Sequence, residues 1–188
     1  MQGLFDVLDT RSFSSMWYWL LLTLIWTWLG RGALGIPTDL VNAVRRREPD
    51  ADTRPAPAAL LLLDWLSLVT PRWLVPDRDG VLLLAVGAFV ATLLAGLGFG
   101  YGWQAAQALF LLGAPLMVLL ILRVRLAARL RGVLAEAETG QQPPDAAASK
   151  AAAMIARHMR VTMALSIVAV SGAAVWGTLW LARHPNWL

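Results

Sequence analysis

Few residues in this chain carry reactive chemistry, and their spacing restricts what they can do. There are two histidines, His158 and His184, 26 positions apart. On one continuous helix that separation is ~39 Å at 1.5 Å per residue, too far to share a haem iron. His158 lies between Arg157 and Arg160 and reads as a solvated interfacial residue. A His–Met haem site through Met154, Met159 or Met163 has no support in the spacing. Cysteine is absent. That excludes disulfides, thiolate-ligated zinc or iron–sulfur centres and cysteine nucleophiles. Gly30, Gly32 and Gly35 in GRGALG match the letters of a dinucleotide fingerprint. That motif needs a strand before it and a helix after it. Here it closes an apolar helical stretch, so the glycines read as helix terminators. Ser166 and Ser171 have no base near them in sequence, and Asp64 is the one carboxylate within an apolar run. Asp64 is expected to face water. No catalytic, cofactor-binding or metal-binding residue is assigned, no cofactor is expected, and the chain reads as a non-enzyme.

The elements that would position these residues are set by lipid. Of 188 residues, 58% are hydrophobic and 15% charged, whereas a soluble domain carries about 25% charged residues. Mean hydropathy is +0.59. The expected fold is an all-α integral membrane protein with four transmembrane helices, an interfacial helix and a cytoplasmic helical hairpin. A span needs ~20 mainly apolar residues, and four segments qualify: 16–36, 81–101, 104–122 and 161–182. Residues 1–15 place Leu4, Phe5 and Leu8 opposite Asp6 and Asp9, as an amphipathic segment on the outer surface would. They lack the basic start of a cleaved signal peptide.

Between the first two spans lies a cytoplasmic loop, 37–80. Its apolar run 58–70 carries Asp64 and stops at Pro71. At ~20 Å it is too short to cross, and with Trp65 and Trp73 it reads as an interfacial helix. Residues 123–160 continue the third span in helical register through Leu126, Leu130, Val133 and Ala137. They break at Gly140, Pro143 and Pro144, then restart in an Ala-rich run that enters the fourth span. This hairpin needs mutual pairing or a partner for its apolar stripe. Residues 183–188 form the outer C-terminus.

Basic residues orient the spans. With four spans and both termini periplasmic, every one of the 16 basic residues except Arg11 and Arg183 lies on the cytoplasmic side. A fifth span would divide them far more evenly. Trp17, Trp19, Trp103, Trp176, Trp180 and Trp187, with Tyr18 and Tyr101, then form an aromatic belt at the outer surface. The net charge of +4 thus reports orientation in the bacterial inner membrane, and no nucleic-acid partner is expected. Arg45, Arg46, Arg47, Arg123 and Arg125 are candidate contacts to the anionic inner leaflet. Gly96, Gly100, Ala169, Ala173 and Gly177 recur at four-residue spacing and form a candidate helix-packing interface.

RSFSSMWYWLLLTLIW at 11–26, LGIPTDLV at 34–41, QALFLLGAP at 107–115 and the Trp176–Gly177 pair together resemble a family. It is a family of small alphaproteobacterial integral membrane proteins of unknown function, often labelled "component of SufBCD complex". The likeness is distinctive at its start and weaker afterwards. It implies a multi-pass inner-membrane protein and, through that label, a link to iron–sulfur assembly. A chain without thiolates could act there only as a non-catalytic scaffold.

The expected function is a non-enzymatic accessory or assembly subunit of a larger inner-membrane complex, with membrane lipids and that complex as partners. The alternative is a small transporter or channel subunit acting as a homo-oligomer. Asp64, Ser166 and Ser171 would be the only candidates for its polar path.

Overall fold

The computed structural model describes residues 13, 15–30, 32–46 and 56–183. Six α-helices follow one another among them: α1 (Met16–Gly30), α2 (Thr38–Arg46), α3 (Pro57–Val69), α4 (Asp77–Ala95), α5 (Gln104–Glu138) and α6 (Pro144–Arg183). A 3-10 turn, Thr70–Trp73, follows α3, and a π-helical turn, Gly96–Gly100, follows α4. Every element among the described residues is helical. Three helical stretches, Asp77–Gly100, Gln104–Glu138 and Pro144–Arg183, are long and apolar enough to cross a membrane. Of the expected N-terminal surface segment 1–15, residues 1–12 and 14 lie outside the described residues, as do Arg31, residues 47–55 and residues 184–188.

In the first expected span, 16–36, α1 ends at Gly30 after 15 residues, a length of ~22 Å. Leu34 (φ 58°) and Gly35 (φ 81°) both take the left-handed conformation, and Ile36 N–H donates to Ala33 O at 3.0 Å. A turn here leaves no room for the helix to continue to Ile36. Leu34 in that conformation costs roughly 1–2 kcal/mol. It is tolerated in a position where its side chain is almost fully buried.

The chain divides into two compact units. Unit 1 comprises residues 1–29, 76–119 and 164–188, and unit 2 comprises residues 30–75 and 120–163. In unit 1, Tyr18, Leu22 and Trp26 recur at four-residue spacing along α1 and are buried with Ala169 and Ala173 of α6 and Ala108, Leu112 and Leu119 of α5. Bulky side chains of one helix against small ones of another allow close packing in a medium where lipid tails are as apolar as leucine. Unlike α1, α4 has no buried residue.

Unit 2 has its own core. Val41 of α2 and Ala59, Leu62 and Leu66 of α3 pack with Leu126, Ala127, Leu130 and Val133 of α5 and with Ala147, Ala148, Ala151, Ala152 and Ile155 of α6. The alanines bring the helices together at short range. Gly140 (φ 71°) ends α5 in a left-handed cap, with Gly140 N–H donating to Ala137 O and Gln142 N–H to Glu136 O, both at 3.1 Å. Pro57 begins α3, and the Ala56 N–H just before it donates to Asp145 Oδ1 at 2.9 Å. This bond ties the start of α3 to the first turn of α6. The Lys150–Glu136 ion pair, 2.8 Å, is exposed on both sides and adds at most about 1 kcal/mol.

The apolar stripe of 123–160 is therefore filled from within the chain. Helix α3 has a second apolar side, Leu60, Leu61, Trp65 and Leu68, which is exposed.

Candidate functional site

The five candidate packing residues separate into two sets. Ala169 and Ala173 are buried in the unit 1 core, and Gly177 is buried where a Cβ would come within 3.2 Å of Phe13 and Trp19. Their neighbours belong to the same chain. Gly96 and Gly100 are exposed, and a Cβ added to either would meet nothing within 4 Å. The glycine that does admit a close approach in this turn is Gly98. A side chain there would lie 2.8 Å from the backbone nitrogen of Gln107.

That approach positions a polar clamp. Gln107, 4% exposed, donates from Nε2 to Gly98 O at 2.7 Å and accepts at Oε1 from Trp176 Nε1 at 2.9 Å. One amide thus joins the π turn, α5 and α6, with both ends of its side chain used. Phe99 packs edge-on against Phe110 and Trp176, with ring centroids 5.7 and 5.1 Å apart. Gly102 (φ 76°) makes the left-handed bend that returns the chain into α5. A cavity of about 290 Å³ opens beside the clamp, lined by Phe99, Gln107, Trp176, Trp180 and Arg183 among others. On α4 itself, Gly87 faces Met117 of α5, whose sulfur fills the space a side chain would need. The remaining large side chains of α4, including Val81, Leu83, Val86, Phe89, Val90 and Leu93, are exposed.

Sequence reasoning passed over Gln107 as one letter of the QALFLLGAP stretch. A glutamine within an otherwise apolar span, nine residues after Gly98 of a glycine-rich turn, was the available signal. The tryptophans assigned to the aromatic belt differ in exposure. Trp17 and Trp103 are exposed, while Trp19, Trp176 and Trp180 are partly buried against the unit 1 core.

Of the candidate leaflet contacts, Arg45 and Arg46 are exposed in the last turn of α2, where they complement the helix dipole. Arg47 is outside the described residues. Arg125 is exposed on α5, whereas Arg123 is half-buried with its guanidinium over the Trp73 ring, 5.7 Å from the centroid. His158 departs most from its expected setting. It is 7% exposed and its Nε2 has no hydrogen-bond partner among the described residues. Burial, and next the nearby Arg123 charge, push its pKa below the usual 6.5. Its place on the inner side of α6, rather than the solvent side, is set by packing against α5.

Asp64 and Ser171 are exposed and Ser166 is half-buried. Asp64 belongs to unit 2 and the two serines to unit 1. Among the described residues, no group of three or more His, Cys, Asp or Glu is placed to hold a metal ion. No family model, curated protein or solved structure matches the chain.

Proposed function

We propose that this chain is a non-enzymatic accessory or assembly subunit of a larger bacterial inner-membrane complex. It crosses the membrane four times, first through α1, Met16–Gly30, rather than the whole of 16–36, and then through 81–101, 104–122 and 161–182, with both termini periplasmic. The observation that carries this reading is α4, an apolar helix without a single buried residue. The π turn after it carries Gly96 and Gly100, where an added Cβ would meet nothing within 4 Å among the described residues. Small residues on the exposed side of a helix let a second helix approach closely in lipid. The internal small-residue face, Ala169–Ala173–Gly177, is already used. The resemblance to small alphaproteobacterial membrane proteins supports the inner-membrane assignment, and the iron–sulfur label suggests one complex to look for.

Because the chain has no cysteine, the surface can be mapped by single substitutions in native membranes. Leu83→Cys and Phe89→Cys on α4, labelled with a benzophenone maleimide and irradiated, are expected to cross-link to one recurrent membrane protein. Trp28→Cys, exposed on α1, serves as the comparison. Recovery of only the uncrosslinked chain from every α4 position would overturn the reading.

A further inference from the structure

Within unit 2, a second cavity, of about 260 Å³, lies between the lower part of α5 and the facing part of α6. Leu122, Arg125 and Arg129 reach it from α5 at steps of three and four residues, so they share one helix face. Arg157, His158 and Val161 reach it from α6. Arg125, Arg129 and Arg157 are exposed and have no ion-pair partner among the described residues. The surroundings supply none in sequence either, since residues 119–135 and 146–163 contain no Asp or Glu. Three unneutralised guanidiniums around one cavity repel one another unless an anion sits among them. The buried His158 Nε2 is a further polar atom on this wall without a partner.

The geometry points to a site for the phosphate head of an anionic phospholipid, one molecule per chain. Guanidinium groups are suited to phosphate oxygens because they donate two parallel hydrogen bonds at once. A lipid accounts for the apolar wall better than a soluble phosphate does. Leu122 and Val161 stand at the ends of the apolar stretches 104–122 and 161–182, where the first acyl carbons of a lipid held by its phosphate would lie. Arg123 takes no part, because its guanidinium is engaged with Trp73. Such a site saturates at a single lipid. It differs in this from diffuse attraction of a basic loop to a charged surface, and it does not depend on the accessory reading.

The test is native mass spectrometry of the full chain in mild detergent, titrated with phosphatidylglycerol and, separately, with phosphatidylcholine. One phosphatidylglycerol is expected to stay bound under activation that strips phosphatidylcholine. The double substitution Arg125→Gln with Arg157→Gln is expected to weaken its retention about tenfold or more, as loss of charged hydrogen bonds implies. Arg131→Gln with Arg160→Gln removes the same charge from exposed positions outside the cavity and is expected to leave retention unchanged. All four side chains are exposed, so folding is not at stake, and an unshifted thermal transition checks that directly. Equal retention of the two lipids, or equal weakening by both double substitutions, would overturn the site. Binding of inorganic phosphate that phosphatidylglycerol does not displace would overturn the lipid as its ligand.

Discussion

Two buried side chains carry the sharpest consequences at the scale of single residues. Gln107→Leu keeps the approximate volume but leaves Gly98 O and Trp176 Nε1 without their partner. A loss of about 1–3 kcal/mol is expected, read as a lowered midpoint of thermal unfolding in detergent. Gly98→Ala should cost more than Gly96→Ala or Gly100→Ala, because only at 98 does the new carbon meet backbone. Equal effects at all three positions would mean that the turn does not rest on Gln107. His158 adds a pH dependence. Its folded pKa is depressed by burial and by Arg123, so above the ordinary 6.5 it is neutral whether folded or unfolded and contributes nothing to the slope. As pH falls below 6.5 the unfolded chain takes up the proton first, and stability declines until the folded pKa is reached. His158→Gln is expected to flatten that part of a stability-versus-pH profile. A profile identical to the parent chain's would show that His158 is not buried uncharged.

Among the elements, the helical character of the chain was legible in sequence because it depends on local properties. Apolar content, alanine propensity and the Gly140–Pro143–Pro144 break are visible residue by residue. What could not be read was which face each helix turns to which neighbour. The stripe Leu126–Leu130–Val133 was visible, but its cover by Ala59, Leu62 and Leu66 of α3 depends on where a turn more than fifty residues earlier returns the chain. His158 looked solvated for the same reason, since two flanking arginines say nothing about the side of α6 on which a residue falls. The Gln107 clamp needed the π turn to bring Gly98 within reach. The alanine-lined contact of α5 and α6 has a direct check. Ala151→Leu inserts three carbons at a fully buried position and is expected to cost about 1–3 kcal/mol through overpacking. Ala153→Leu, on the exposed side, should be close to neutral, and the two midpoints can be compared in one detergent.

At the scale of the whole molecule, the proposed topology and the proposed role can be examined separately. In spheroplasts, Tyr101→Cys in the exposed bend after the π turn is expected to react with a membrane-impermeant maleimide. Thr139→Cys, exposed in the turn between α5 and α6, should react only after the membrane is permeabilised. The opposite pattern would reverse the orientation drawn from the basic residues. The role rests on α4. A side chain at Gly96 or Gly100 in the turn after it would meet nothing within 4 Å among the described residues, so Gly96→Leu should weaken association with a partner while leaving the thermal midpoint of the isolated chain nearly unchanged.

The most direct measurement is co-purification of the tagged chain from native membranes in mild detergent, with the mass of the particle and the identity of its components determined together. An accessory subunit is expected to elute in a particle well above its own 20.5 kDa, with one integral-membrane partner in fixed ratio, and Gly96→Leu should deplete that partner. Elution as a free monomer, or as copies of this chain alone, would contradict the proposal.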